Sequence, residues 1–126
     1  MADHRRRTER LNRLFREELS RLIRVQLKDP RVRTATITEV DTTPDLAHAT
    51  VYVRTLGDEV DAEEAIAGLE SAAGYMRREL GQELRLRRIP ELRFEVDRTL
   101  ERVQRIEDLL HWAREGGAEG DGRSGD

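Results

Sequence analysis

The strongest concentration of chemistry in this sequence is a group of five arginines within twelve residues: Arg77, Arg78, Arg85, Arg87 and Arg88. An arginine guanidinium is planar, is permanently charged and can hold two phosphate oxygens at once. A cluster of this density is typical of a protein that binds the phosphates of a nucleic acid. The alternative interpretation is a solvated helix face, which has the same composition.

Two further basic groups precede this cluster in the chain. They are Arg5, Arg6 and Arg7 near the N-terminus, then Lys28, Arg31 and Arg33 around a proline. The first group is consistent with an electrostatic arm of a nucleic-acid interface, or with a disordered tail that binds nothing. The second group flanks a turn and is predicted to be a weaker set of contacts.

The sequence offers no residues for catalysis, a metal ion or a cofactor. It has no cysteine, so disulfides, thiol nucleophiles and cysteine metal sites are excluded. Its three histidines, His4, His48 and His111, lack the spacing of metal ligands. No phosphate-binding glycine loop or serine elbow is present. We therefore predict a non-catalytic protein with no cofactor and no small-molecule substrate.

The net charge of −3 hides a segregation of charge along the chain. Counted as Lys and Arg against Asp and Glu, residues 1–33 carry 11 against 5, residues 34–74 carry 1 against 9, residues 75–93 carry 6 against 3, and residues 94–126 carry 5 against 9. Two basic segments separated by an acidic one indicate an anionic partner if the fold brings them together. Glu17 lies four residues from both Arg13 and Arg21, so some of the first segment's charge is expected to be neutralised by local ion pairs.

The spacing of apolar residues predicts the elements that position these charges. Helical spacing predicts helices over about 9–27, 62–70 and 76–84. Alternating or β-branched runs predict strands over about 34–40, 47–53 and 92–96. Turn-forming residues 41–45 are expected to join the first two strands as an antiparallel hairpin. Met76, Leu80 and Leu84 are predicted to lie in the core.

These elements predict an α+β domain in the order α-β-β-α-kink-α-β, with three helices on one face of a small mixed sheet. The crossover of roughly 30 residues before the third strand is long enough for a parallel pair. The predicted organisation is a flexible basic arm at 1–8, the domain at 9–98, a short helical extension at 99–115 and a tail at 116–126. The tail is rich in glycine and has almost nothing apolar to bury, so it is expected to be disordered.

This element order is that of the type II KH domain, an RNA-binding fold with a two-glycine loop between its paired helices. Here the small residues Ala72, Ala73 and Gly74 stand in place of that loop. Through four stretches the chain resembles the bacterial ribosome-binding factor A family. The stretches are Leu27–Arg31, Asp45–Val53, Ala72–Arg77 and Leu84–Leu92, and the resemblance covers about residues 9–110.

The resemblance implies a KH-like factor of ribosome biogenesis that binds the maturing small ribosomal subunit and its ribosomal RNA. It implies a role in late assembly and in processing of the RNA 5′ end. A two-glycine loop binds RNA through exposed amides, whereas a helical kink uses its amides within the helices. RNA contact is therefore expected to rely on the arginines, and Gly74 is expected to relax the backbone at the kink.

A different class of function is also open, namely a protein–protein interaction module that uses the acidic helix 62–70 and the C-terminal helix. Binding of RNA weakens steeply with salt, whereas binding through an apolar interface does not. No apolar run approaches the ~20 residues of a membrane span. We therefore predict a cytoplasmic protein with no membrane partner, and nothing in the sequence requires more than a monomer.

Overall fold

The computed structural model describes the backbone of residues 2–117 and the side chains of residues 8–117. Its helices are α1 (Ala2–Val25), α2 (Glu59–Ser71), α3 (Ala73–Leu84) and α4 (Thr99–Arg114). Its strands are β1 (Thr36–Thr42), β2 (His48–Arg54) and β3 (Glu91–Val96), with a short 3₁₀ turn at Pro30–Val32. The predicted α+β class and the order α-β-β-α-kink-α-β of a type II KH-like domain are confirmed.

The sheet has three strands, with β2 in the centre. β1 pairs antiparallel with β2, and β3 pairs parallel with it. The predicted hairpin and the predicted parallel pair are therefore both present. Ala49, Val51 and Val53 of β2 are fully buried, and the residues between them are only half-buried. This alternation leaves one face of the sheet for the helices and one face uncovered.

The core lies between the sheet and helices α1, α2 and α3. Side chains with almost no exposed surface come from all three helices: Phe15, Leu19 and Leu22 of α1, Leu69 of α2, and Met76 and Leu80 of α3. Met76 and Leu80 therefore lie in the core as predicted, and Leu84 packs against it while remaining partly exposed. Burial of these side chains supplies the main force that holds the helices on the sheet.

α1 begins earlier than predicted. Apolar spacing predicts a helix only from about residue 9, with residues 1–8 outside it, but the helical backbone starts at Ala2. The predicted start of α1 near residue 9 is therefore wrong. The physical reason is that apolar periodicity marks only the part of a helix that packs on a core. Good helix formers extend it further, and no proline or glycine stands in the way. The side chains of Arg5, Arg6 and Arg7 lie outside the described ones, so their contact with a nucleic acid stays a prediction.

The turn after α1 is held by a local carboxylate. Asp29 accepts a hydrogen bond from the Arg31 backbone N–H at 2.9 Å, and the Arg31 guanidinium lies 2.6 Å from the same carboxylate. The side-chain hydrogen bond from Arg31 lowers the pKa of Asp29. The turn continues to Ala35, whose N–H donates to the Val32 carbonyl at 3.1 Å. β1 therefore starts at residue 36, two residues later than predicted.

This turn packs against α2 at Gly68. A Cβ at Gly68 would lie 2.9 Å from Cγ1 of Val32 and 3.1 Å from Oδ2 of Asp29. Val32 is buried and β-branched, so it has little freedom to move aside. Glycine is required here because the helix and the turn approach so closely.

α4 projects from the domain, and every one of its side chains is exposed. It fills nearly the whole predicted extension at 99–115, but its 16 residues exceed the 13 of α2 and the 12 of α3, so the prediction that it is short is wrong. Arg98, at its start, lies 2.7 Å from Glu59 of α2 and 3.3 Å from Glu101. Of the tail predicted to be disordered, residues 118–126 lie outside the described part.

Asp97 joins the end of β3 to β1 and to the first residue of α4. The Thr38 hydroxyl donates to Oδ2 of Asp97 at 2.5 Å, and the Thr99 N–H donates to Oδ1 at 2.8 Å. The hydrogen bond from Thr38, followed by those from Thr99, lowers the pKa of Asp97 to about 2. The carboxylate therefore stabilises the fold in its charged form.

We expect the stabilisation by Asp97 to be complete above about pH 5 and to be lost progressively as the pH falls through about 2. An unfolded aspartate has a pKa of about 3.9, so the unfolded chain takes up this proton first and gains stability relative to the fold. Asp97→Asn should lower the free energy of unfolding by about 1 kcal/mol at pH 7 and have little effect at about pH 2. Urea unfolding of both proteins at both pH values measures this, and an equal loss at both would contradict it.

Candidate nucleic-acid interface

α2 and α3 meet at Ala72 without a loop between them. Ala72 ends one helix and starts the next with φ −92° and ψ 0°. Its N–H donates to the carbonyls of Gly68 and Leu69 at 3.2 and 3.0 Å, and its own carbonyl accepts from Met76 at 2.9 Å. The backbone at the junction is thus used within the helices, as expected for a kink. α3 begins without a side-chain cap, directly at the carboxyl end of α2.

Gly74 does not have the role predicted for it. It lies in the first turn of α3, its φ is not positive, and a Cβ there would meet nothing within 4 Å. The expectation that Gly74 relaxes the kink is therefore wrong, because neither its backbone nor its surroundings demand glycine. The change of direction falls on Ala72, and both Ala72 and Ala73 pack against the core. Gly74 instead exposes bare backbone beside the junction.

Arg77 holds the start of β3 in place. Its guanidinium donates to the Ile89 carbonyl at 2.9 Å and to the Pro90 carbonyl at 3.0 Å, and the side chain is half-buried. A phosphate contact at Arg77 would have to compete with these bonds. The sequence could not reveal this role, because the two carbonyls lie 12 and 13 residues further along the chain. Tyr75 packs partly buried against the core.

The other four arginines of the cluster are available. Arg78 lies on the outer side of α3, and Arg85, Arg87 and Arg88 follow the end of that helix. All four are exposed. Within the described side chains, no carboxylate lies within 4.0 Å of any of them. Their positive charge is therefore open to an external anion.

Arg85 occupies a backbone conformation that glycine usually fills. It ends α3 with φ 52° and ψ 48°, in the left-handed region. The N–H groups of Arg85 and Leu86 both donate to the Gly81 carbonyl, the latter at 3.0 Å. A side chain costs about 1 kcal/mol in this conformation.

The turn with Lys28, Arg31 and Arg33 lies beside the same junction, because it packs on α2 one helical turn before Ala72. Lys28 and Arg33 are exposed, and no described carboxylate lies within 4.0 Å of them. Arg31 differs, since it is paired with Asp29. The structure thus leaves two exposed cations of this group on the turn that packs against α2 and assigns the third to the turn itself.

The predicted ion pairs of Glu17 are absent from the described side chains. Arg21 instead pairs with Glu18 at 2.5 Å, and Glu18 is almost completely buried. Arg13 is left exposed with no carboxylate within 4.0 Å among the described residues. Local neutralisation along α1 is therefore confirmed for Arg21, but its partner is Glu18 and not Glu17. The free arginines of α1 are not among the residues that the sequence predicts to bind RNA.

Comparison with known sequences gives matches over most of the chain. The family model described as "Ribosome-binding factor A" matches residues 7–110. A ribosome-binding factor A of Solibacter usitatus is 48% identical over 109 residues, covering 86% of this chain and 89% of that protein. One from Desulfitobacterium hafniense is 40% identical over 126 residues, covering 100% of this chain and 99% of the other.

Solved structures give the same picture. The crystal structure of ribosome-binding factor A from Thermus thermophilus matches with a TM-score of 0.63 at 28% identity, over 71% of this chain and 94% of that one. A solution structure from Thermotoga maritima matches with a TM-score of 0.65 at 32% identity, over 71% and 85%. A Thermus thermophilus homology model fitted into a cryo-electron microscopy map of a 30S complex matches with a TM-score of 0.57 at 29% identity, over 68% and 89%. Within residues 2–117, no helix is both long and apolar enough to cross a membrane.

Proposed function

Because this chain belongs to the ribosome-binding factor A family, we propose that it binds the maturing small ribosomal subunit and contacts its ribosomal RNA. The fit of a Thermus thermophilus relative into a map of a 30S complex supports this partner. The proposal includes assistance in late assembly and in processing of the RNA 5′ end, without catalysis. It places the protein in the cytoplasm and has it act as a monomer.

The observation that carries the proposal is the set of exposed arginines on the α3 side that no described carboxylate neutralises: Arg78, Arg85, Arg87 and Arg88. Such side chains bind phosphates and displace their counterions, which makes the affinity depend on salt. Lys28 and Arg33, on the turn that packs against α2, are two further exposed cations with no described carboxylate within 4.0 Å. Gly74 is exposed and has no side chain, so a phosphate can approach its backbone closely.

Recognition by this surface relies on shape and charge. The described aromatic side chains do not form a stacking platform here, since Tyr75 packs against the core. Arginines that follow a helix and a turn can match the spacing of phosphates on folded RNA without reading bases. We infer that the protein selects a particular fold of the ribosomal RNA and not a single-stranded sequence.

The test is equilibrium binding to purified small and large ribosomal subunits across a range of salt concentrations. The proposal predicts preference for the small subunit and a steep linear fall of log affinity with log salt. The rival proposal is a protein–protein interaction module that uses the acidic helix α2 together with α4. It has its own support, because α4 exposes the apolar side chains of Val103, Ile106 and Leu110. An affinity that barely changes with salt would favour that module.

Arg85 provides a variant with opposite effects on stability and on binding. Arg85→Gly should raise the free energy of unfolding by about 0.5–1 kcal/mol, because glycine adopts the left-handed conformation without cost. The same change should weaken binding to small subunits severalfold, because one phosphate contact is lost. Urea unfolding and subunit titration measure the two effects. Arg85→Asn, which tolerates the same backbone without the charge, should bind as weakly as the glycine variant.

A further inference from the structure

A groove runs between α1 and the outer edge of β1. It contains two cavities of about 210 and 150 Å³ that occupy successive positions along the same two elements. Arg13 and Arg16 line the first cavity, and Arg24 lines the second. At 100° per residue these three side chains fall within about 80° of one another on the helix surface. They therefore form one row along the groove.

The other sides of α1 are already occupied. Phe15, Leu19 and Leu22 face the core. Arg21 lies on the flank that meets α3, where its pKa is raised mainly by the hydrogen bond to Glu18 and further by the charges of Glu83 and Glu79. The groove thus lies on the flank of α1 that points away from α3.

The three arginines of the groove are not neutralised. All are exposed, and none has a carboxylate within 4.0 Å among the side chains of residues 8–117. Glu9 and Glu39 line the groove near Arg13 and Arg16, so the positive charge is strongest at the other end.

The groove is poorly suited to an extended protein strand. The outward N–H of Thr42 is already bonded to Oδ1 of Asn12 at 2.9 Å. The ladder of β1 is shifted between Ile37 and Glu39, and such irregularities together with edge charges discourage strand addition. The groups that an occupant of the groove can bond are therefore of two kinds. On the α1 side there is a row of guanidinium donors, and on the β1 side there are two acceptors, the Glu39 carboxylate and the outward carbonyl of Val40. Phosphates can accept hydrogen bonds from the guanidinium groups, and ribose 2′-hydroxyls can donate to the acceptors.

We propose that the groove between α1 and β1 binds a second segment of ribosomal RNA, through phosphates on Arg13, Arg16 and Arg24 and through ribose hydroxyls at the β1 edge. This inference rests on the proposed function and extends it. The α3 arginines contact one RNA segment, and the groove contacts another on the opposite flank of α1. The protein then holds two segments of the RNA at a separation set by the folded domain.

The chain has no cysteine, so a single introduced cysteine can carry a tethered iron probe that cleaves nearby RNA. Ser20→Cys places the probe in the groove, and Ser71→Cys places it beside the junction. Glu95→Cys, exposed on β3, is the control on the uncovered sheet face. With purified small subunits we expect cleavage from positions 20 and 71 at different sites in the RNA, and little from position 95.

The outcomes separate this inference from the proposed function. Cleavage from position 71 but not from position 20 overturns the groove and leaves the α3 interface standing. Absence of cleavage from both, with no measurable binding of the unmodified protein, overturns the proposed function itself. Cross-linking of a reactive group at position 20 to a ribosomal protein and not to RNA also overturns the groove assignment.

An affinity measurement provides the second readout. Replacement of Arg13, Arg16 and Arg24 by glutamine should weaken binding to small subunits at least about tenfold and lower the slope of log affinity against log salt by about two or more. Arg102, Arg105 and Arg114 of α4 offer the matched control, since they are equally exposed on a helix. The control triple should bind like the unchanged protein. Equal affinity and slope for the groove triple would overturn the inference.

Discussion

Replacement of Arg78, Arg85 and Arg88 together by glutamate should lower the affinity for purified small subunits by about a hundredfold or more. The change removes three phosphate contacts and places negative charge against the RNA. The fold should remain, because these side chains are exposed and form no ion pair with a described carboxylate. Arg77 is left unchanged, because its bonds to Ile89 and Pro90 hold β3. Titration monitored by subunit pelleting gives the affinity.

The matched control changes Arg102, Arg105 and Arg114 of α4 to glutamate, which alters the net charge by the same amount on another exposed surface. This variant should bind small subunits nearly as well as the unchanged protein. Retained affinity in the α3 triple would contradict the assigned interface. Loss in the α4 triple alone would favour the rival module, in which the C-terminal helix carries the contact.

The second large effect is on stability. Leu69→Ala should lower the free energy of unfolding by about 3–4 kcal/mol, because Leu69 has no exposed surface and its truncation leaves a cavity under the last turn of α2. That is a large part of the about 5–15 kcal/mol that stabilises a typical domain. Urea unfolding of the purified variant measures the change. Ile66→Ala, at a partly buried position of the same helix, is the control and should cost clearly less. Equal losses would contradict the packing described for α2.

The fold was predictable because each apolar pattern had one compatible partner. Helical stripes such as Met76, Leu80 and Leu84 needed a surface to cover, and the alternation of Ala49, Val51 and Val53 supplied it. The crossover before β3 was long enough for a parallel pair, and the structure shows that β3 forms it with β2. The boundaries of helices that make no apolar contacts were predicted less well, as at the start of α1. No periodic pattern of apolar residues marks such a boundary in the sequence.

The sequence predicted which arginines belong to the basic cluster, but it did not predict what each of these side chains contacts. Arg77 and Arg78 are adjacent in sequence, yet one bonds two carbonyls of a distant loop and the other faces outward. The pairing of Arg21 depends on which of two neighbouring glutamates turns towards it, a choice made by packing. The left-handed backbone at Arg85 likewise follows from how α3 ends against the next loop. Such facts depend on tertiary contacts, which spacing along a chain does not contain.

We propose above all that the small subunit is bound, before it enters translation, by the exposed arginines of the α3 side: Arg78, Arg85, Arg87 and Arg88. The most direct measurement is the sedimentation of the native protein in a cell lysate at low and at moderate salt. We predict co-migration with free small subunits at low salt, absence from translating ribosomes, and release as the salt is raised. Migration as a small free protein at both salt concentrations, or association that resists salt, would contradict the claim.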